Sequence, residues 1–125
     1  MLKPINTDNA PIALGPYSQA MEFNGIIFIS GQIPIDPKTN TVVEKSIKTQ
    51  TEQVCINIGN ILDTAGSSYK NVIKTTCYLE SMSDFKDFNA VYGEYFVSKP
   101  ARACVAVKQL PQNVMCEIEV IAKLD

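Results

Sequence analysis

Only two segments of the chain repeat apolar residues at helical spacing, and strand-like segments surround both. The first extends from Ser46, which suits a helix N-cap, to Gly66, a residue that commonly ends helices. The second begins at Ser83 or Asp84 and carries a stripe that we expect to be buried: Phe85, Phe88, Val91, Tyr92, Tyr95 and Phe96. Because two helices can cover one face of a sheet, this pattern predicts an α+β fold.

The rest of the chain contains six segments that favour strands. They are residues 17–22, 26–30, 42–43, 72–79, 101–107 and 115–123, and the short segment 42–43 is expected at a sheet edge. Asn24-Gly25 separates the first two and favours a tight hairpin turn, because both residues readily take positive φ. The order β-β-(β)-α-β-α-β-β predicts a mixed sheet with both helices on one face. The other face would be uncovered, and its burial against further copies predicts a homo-oligomer.

Size and charge restrict the class of protein. A chain of 125 residues predicts one domain over 1–125, and 46% hydrophobic with 19% charged residues is typical of a globular domain. No apolar run approaches the roughly 20 residues that cross a bilayer, and the N-terminus lacks an apolar signal core. We therefore expect a cytoplasmic protein, with an organelle also possible. A net charge of −2 and scattered lysines disfavour nucleic acid as the main partner.

The chain has no histidine, which removes histidine bases, Ser-His and Cys-His pairs and the usual zinc sites. It also lacks the glycine-rich loops that hold nucleotide phosphates. We therefore expect neither a metal nor a cofactor. Four cysteines, in no C-x-x-C spacing, are expected to be reduced and mostly buried: Cys55, Cys77, Cys104 and Cys116.

Arg102 is the only arginine, and it lies at the start of an apolar strand. A guanidinium binds a carboxylate through two parallel hydrogen bonds, which an ammonium cannot do. Strand alternation places Arg102 beside small residues, with room for a ligand, and Glu117 on what we expect to be the neighbouring strand. The pair suits an anionic substrate and an activated water, or alternatively a plain cross-strand salt bridge.

Several short motifs together resemble the RidA (YjgF) family of imine deaminases, also described as L-PSP endoribonuclease-like. They cover most of the chain and are Gly15-Pro16-Tyr17-Ser18-Gln19-Ala20, Ser30-Gly31-Gln32-Ile33-Pro34, Asp84-Phe85 with Asn89, Tyr92 and Phe96, Pro100-Ala101-Arg102-Ala103-Cys104, and Glu117-Ile118-Glu119. The resemblance implies a chorismate-mutase-like fold and homotrimers with a central sheet barrel and clefts between subunits. It implies cofactor-independent hydrolysis of 2-aminoacrylate and 2-iminobutanoate to 2-oxo acids and ammonia.

The resemblance also implies site residues. Arg102 matches the arginine that binds the substrate carboxylate, and Glu117 matches the glutamate that holds the attacking water. Tyr17, which we include in the catalytic set, lines the same pocket with Gly31, Asn89 and Cys104, the last through its backbone N–H. Lys99 stands where many relatives have an aromatic residue. Two other functions stay open: an endoribonuclease or translation inhibitor, and a non-enzymatic module that binds 2-oxo acids or partner proteins.

Overall fold

A computed structural model describes all residues, 1–125. It contains eight strands and two α-helices, which are β1 (Lys3–Ile5), β2 (Ala20–Phe23), β3 (Ile26–Gln32), β4 (Ile35–Asp36), β5 (Thr41–Val42), α1 (Ile47–Ala65), β6 (Val72–Leu79), α2 (Phe85–Tyr95), β7 (Ala101–Ala106) and β8 (Cys116–Lys123). Three short 3₁₀ turns cover Tyr69–Asn71, Met82–Asp84 and Pro111–Asn113. Neither helix is both long enough and apolar enough to cross a membrane.

Six strands form one mixed sheet in the order β1-β2-β3-β8-β6-β7, and β4 and β5 form a separate ribbon. The β6–β7 pair is parallel, and the other pairs are antiparallel. Both helices pack together, and α1 packs on β3 and β8. The predicted α+β class and mixed sheet are therefore confirmed.

Local sequence signals explain the helix ends and the first hairpin. The Ser46 Oγ accepts a hydrogen bond of 3.4 Å from the Thr49 N–H, which caps α1. Gly66 ends α1 in the left-handed conformation, with φ 85°. Asn24 and Gly25 both have positive φ between β2 and β3, as their residue types predict.

The structure differs from the sequence prediction at the N-terminus. β1 was not predicted, because a three-residue strand containing Pro4 carries almost no periodic signal and proline is tolerated only at an edge. β2 begins at Ala20 instead of residue 17, because a tight turn joins the Tyr17 N–H to the Gly15 carbonyl. The turn leaves Tyr17 outside the sheet.

The helices cover one face of the sheet. In β8 this face consists of four buried residues, Cys116, Ile118, Val120 and Ala122, as alternation predicts. In α2 the predicted stripe is only partly buried: Phe88, Tyr92 and Phe96 are buried, whereas Phe85, Val91 and Tyr95 are half-buried. The opposite sheet face has no covering layer, and Phe28 and Val105 on it are 47% and 46% exposed.

Candidate active site

Arg102 lines an open surface cavity between β7 and α2, which we call the arginine cavity. Its volume is about 580 Å³, and its lining residues are Asn89, Tyr92, Gly93, Phe96, Val97, Lys99, Pro100 and Arg102. The Arg102 Nη1 donates a hydrogen bond of 2.7 Å to the Asn89 Oδ1, the only hydrogen bond of the guanidinium within the chain. Since an arginine has five N–H donors, the other donors are available to a ligand.

Aromatic rings of α2 hold the guanidinium in place. The Arg102 Cζ lies 5.4 Å from the centre of the Phe85 ring and 4.9 Å from that of Tyr92. The Tyr92 hydroxyl shares a hydrogen bond of 2.7 Å with the Thr75 Oγ1 on β6, which fixes the ring. Cation–π contact and the hydrogen bond to Asn89 therefore orient the charge before any ligand binds.

The backbone of β7 also presents polar groups at this edge. β7 is the last strand of the sheet, and the Val107 N–H bonds to the Leu79 carbonyl of β6 at 3.0 Å. Because alternate residues of a parallel strand bond to the same neighbour, the backbone N–H groups of Arg102 and Cys104 face the free edge. The N–H of Cys104 is thus unpaired in the sheet, and its role in ligand binding stays a prediction.

Glu117 lies on the uncovered sheet face, directly over Gly31. A Cβ added to Gly31 would lie 2.9 Å from the Glu117 Cδ and would overlap its Oε2, so glycine leaves room for the carboxylate in the position that it occupies here. The pairing of β3 with β8 shifts between Ile29 and Gln32, and this irregularity brings Gly31 under the side chain. Tyr17 lines a small cavity together with Gly31. We call Glu117, Gly31 and Tyr17 the glutamate site.

The Glu117 carboxylate is half-buried, and it receives no hydrogen bond and no salt bridge within the chain. Burial raises the pKa of Glu117, and the negative charge of Glu119 raises it further. A carboxylate with a raised pKa and free lone pairs is a suitable proton acceptor for a bound water.

Tyr17 is the outermost member of the glutamate site. It is 54% exposed, and its hydroxyl accepts a long hydrogen bond of 3.4 Å from the Leu14 N–H. It lines a cavity of about 190 Å³ together with Gly31 and Gln19. Gly31 therefore adjoins both Tyr17 and Glu117, whereas Arg102 adjoins Asn89 at the other location, two residues before Cys104.

The expectation that Glu117 neighbours Arg102 is wrong for a single chain. β6 lies between β7 and β8, so the two strands are about 10 Å apart. Arg102 is in register with the buried Thr75 on the helix-covered face, whereas Glu117 is in register with Tyr78 on the uncovered face. The two charges thus point to opposite sides of the sheet. The alternative of an Arg102–Glu117 salt bridge is also excluded, since the one ion pair is Lys45–Glu80.

All four cysteines are free thiols, and three are buried. Burial raises the pKa of Cys77 and of Cys116 to about 12. Burial also raises the pKa of the half-buried Cys104, although the nearby Arg102 charge opposes the shift. Cys104 is therefore a protonated thiol near neutral pH and a poor nucleophile.

Sequence reasoning did not identify Phe85, Tyr92 and Thr75 as support for the guanidinium. The two aromatic residues were expected in the core because they share the helical stripe of α2. Their spacing of seven residues places both on one helix face, and that face meets β7 at Arg102. The aromatic stripe and the single arginine are each visible in the sequence, but their contact is not.

Comparison with known proteins shows where this chain belongs. Residues 7–124 match the family described as Endoribonuclease L-PSP. A RutC family protein of Pyrococcus horikoshii is 54% identical over 98% of both chains. Reactive Intermediate Deaminase A, a chloroplastic protein of Arabidopsis thaliana, is 46% identical over 96% of this chain and 65% of its own length. A crystal structure of E. coli TdcF with bound serine superposes with a TM-score of 0.93, at 36% identity over 98% and 99% of the two chains.

The chain belongs to the endoribonuclease L-PSP family, whose members include the RutC and RidA proteins. The resemblance drawn from the motifs is thereby confirmed.

Proposed function

We propose that the protein hydrolyses short 2-imino and 2-enamino acids, such as 2-iminobutanoate and 2-aminoacrylate, to 2-oxo acids and ammonia. The observation that carries the proposal is a pre-oriented guanidinium with free donors in an open cavity. The RidA relative is named as a deaminase of reactive intermediates, and TdcF has been crystallised with serine, a small molecule with a carboxylate.

Arg102 binds the substrate carboxylate through two of its free N–H groups. The N–H of Cys104 at the free edge of β7 and the Asn89 amide, which already bonds to Arg102, provide further polar contacts. This arrangement places the imine carbon at a defined position, and it disfavours imines without a carboxylate because the guanidinium would lose its partner.

Glu117 supplies the proton transfers. It removes a proton from a bound water as the water oxygen attacks the carbon of the C=N bond, and the electron pair of that bond moves to the nitrogen, which takes a proton from solvent. The resulting carbinolamine collapses: the C–N bond breaks, Glu117 gives its proton to the nitrogen, which leaves as ammonia, and the hydroxyl group loses its proton to solvent as the carbonyl of the 2-oxo acid forms. The Tyr17 hydroxyl contacts the substrate from the opposite side. An enamine enters this sequence after it tautomerises to the imine.

Arg102 and Glu117 can reach one substrate only if two copies of the chain contribute to the site. They are separated by two strand spacings, about 10 Å, and lie on opposite sheet faces. The uncovered apolar face, with exposed Phe28 and Val105, provides the surface for such assembly. A homotrimer with clefts between subunits, as the resemblance implies, places the arginine cavity of one copy against the glutamate site of the next.

A coupled assay tests the function. Threonine dehydratase generates 2-iminobutanoate in the presence of semicarbazide, which traps the imine that has not yet been hydrolysed. The 2-oxobutanoate product reacts with semicarbazide more slowly than the imine does, so addition of the protein should reduce the initial rate of semicarbazone formation, and Arg102→Ala should abolish the reduction. Semicarbazone formation that is unchanged by wild-type protein contradicts the proposal.

The family description favours endoribonuclease activity as a second candidate. The chain offers no histidine for acid–base cleavage of RNA, and its net charge is −2. Incubation of single-stranded RNA with wild-type protein and with Glu117→Gln distinguishes the two functions. Cleavage by wild-type protein that is lost in Glu117→Gln supports the ribonuclease, and equal cleavage by both indicates contamination.

A further inference from the structure

The lining of the arginine cavity contains two cations and no acidic residue. Arg102 and Lys99 are the charged members, and the other lining residues are neutral. Lys99 is exposed, and no carboxylate lies within 4 Å of its ammonium. A substrate carboxylate pairs with Arg102, and the Glu117 carboxylate of the neighbouring copy pairs with the attacking water, so the Lys99 ammonium keeps no anionic partner. The cavity therefore has capacity for a second anionic group.

Lys99 is held in an unusual backbone conformation at the rim of this cavity. Its φ is +50°, in the left-handed region that lysine rarely adopts, and its N–H donates a hydrogen bond of 3.1 Å to the Phe96 carbonyl. Non-glycine residues in this region are strained by about 1 kcal/mol, and such strain concentrates at functional positions. Asparagine tolerates the same conformation better than lysine does, so the requirement for a turn does not explain the choice of lysine.

The spacing of the two cations suits a small molecule. Lys99 and Arg102 are three residues apart, so their Cα atoms are separated by at most about 10 Å. Both side chains line the same cavity, and the flexible lysine stem allows its ammonium to approach the guanidinium when an anion lies between them. The cavity volume of about 580 Å³ accommodates a four-carbon acid.

We propose that Lys99 is a specificity residue that binds a second carboxylate, so that the preferred substrates are 2-imino dicarboxylic acids. This inference rests on the proposed deaminase function. In the bound state Arg102 contacts the carboxylate next to the imine carbon, and Lys99 contacts the carboxylate at the far end of the side chain. 2-Iminosuccinate and 2-iminobutanoate are the matched pair for a test, since both have four carbons and differ only in a carboxylate in place of a methyl group.

The experiment measures the hydrolysis of both imines by three proteins: wild type, Lys99→Asn and Lys48→Asn. Lys99→Asn removes the charge and keeps a residue that accepts positive φ. Lys48 is an exposed lysine on α1 outside the arginine cavity, so Lys48→Asn controls for the loss of one positive charge. L-aspartate oxidase supplies 2-iminosuccinate, and threonine dehydratase supplies 2-iminobutanoate. We expect Lys99→Asn to lower the ratio of kcat/KM for 2-iminosuccinate to that for 2-iminobutanoate about five- to tenfold, and Lys48→Asn to leave the ratio unchanged.

Binding of the product acids separates failure of this inference from failure of the proposed function. Calorimetry with oxaloacetate and 2-oxobutanoate should show tighter binding of oxaloacetate to wild type, and Lys99→Asn should remove that difference. If the protein hydrolyses 2-iminobutanoate but Lys99→Asn leaves the kcat/KM ratio of the two imines unchanged, the proposed second-carboxylate site is wrong and the deaminase function stands. If neither imine is hydrolysed while oxaloacetate binding depends on Lys99, the carboxylate site stands and the deaminase function is wrong.

Discussion

The arginine cavity and the glutamate site hold their charges in opposite ways. Arg102 is fixed by the Asn89 amide and by the rings of Phe85 and Tyr92, and its charge is permanent. Glu117 has no hydrogen bond within the chain, and burial raises its pKa. A fixed positive charge suits the binding of a carboxylate. A titratable group that the protein holds weakly suits proton transfer. The comparison teaches that the group suited to binding and the group suited to proton transfer lie in separate places, on opposite faces of the sheet.

The largest expected effect follows from removal of the fixed charge. Arg102→Ala should lower kcat/KM for 2-iminobutanoate by at least about 10³-fold, since the substrate carboxylate loses a bidentate partner. Arg102→Lys should recover little, because an ammonium cannot form both hydrogen bonds. Steady-state kinetics measure the loss, and circular dichroism serves as the control for folding. Near wild-type rates in folded Arg102→Ala would contradict the role of the arginine cavity.

Removal of the titratable charge should have a different kinetic signature. Glu117→Gln should lower kcat about 10²-fold or more, because the amide cannot accept a proton from water. Since the carboxylate of the ligand is bound by Arg102 and not by Glu117, binding of 2-oxobutanoate should remain near that of wild type, as calorimetry would show. If Glu117→Gln kept its kcat and lost affinity for 2-oxobutanoate, Glu117 would be a binding residue, and its role in proton transfer would be wrong.

Mixing the two inactive variants tests whether each site draws on two copies. Arg102→Ala retains an intact glutamate site, and Glu117→Gln retains an intact arginine cavity. The two variants are unfolded together in equal amounts and refolded. Random assembly should then place an intact arginine cavity beside an intact glutamate site in about a quarter of the sites. Activity should then rise to about a quarter of that of wild type. Activity that stays at the level of the separate variants would indicate that each site lies within one chain.

The pH dependence reports on the glutamate site alone. Glu117 must be ionised to accept a proton, so kcat/KM should rise with pH through its raised pKa. Glu119→Gln removes a neighbouring negative charge, which should lower the pKa of Glu117 and move this rise to lower pH. A pH–rate profile of both proteins measures the shift. A shift to higher pH, or a profile that Glu119→Gln leaves in place, would contradict the electrostatic assignment.

The smallest effect is expected at Cys104. Its backbone N–H faces the strand edge, and its thiol has a raised pKa, so Cys104→Ala should retain kcat/KM within about twofold. A thiol reagent that inactivates wild type but not this variant would report steric blockage and leave the prediction intact. Loss of turnover in Cys104→Ala itself would assign chemistry to the sulfur.

Much of the fold was predictable from short-range signals. Ser46 and Gly66 mark the two ends of α1 in the sequence, because capping depends on residues within one helical turn. β6 occupies residues 72–79 as predicted, since β-branched side chains favour a strand there. The three-residue β1 was not predictable, because it is too short to carry a periodic pattern and gains its order from pairing with β2.

The candidate residues could be selected from the sequence, but their grouping could not. The sequence alone determined the helices and most strands, the mixed sheet with one covered face, and the rarity of Arg102, because these depend on local composition and spacing. Only the tertiary structure decided that β6 separates β7 from β8, that Gly31 lies beneath Glu117, and that Phe85 and Tyr92 hold Arg102. The physical reason is that strand order and register are set by contacts between distant parts of the chain, and a change in strand order moves a side chain without altering any local pattern.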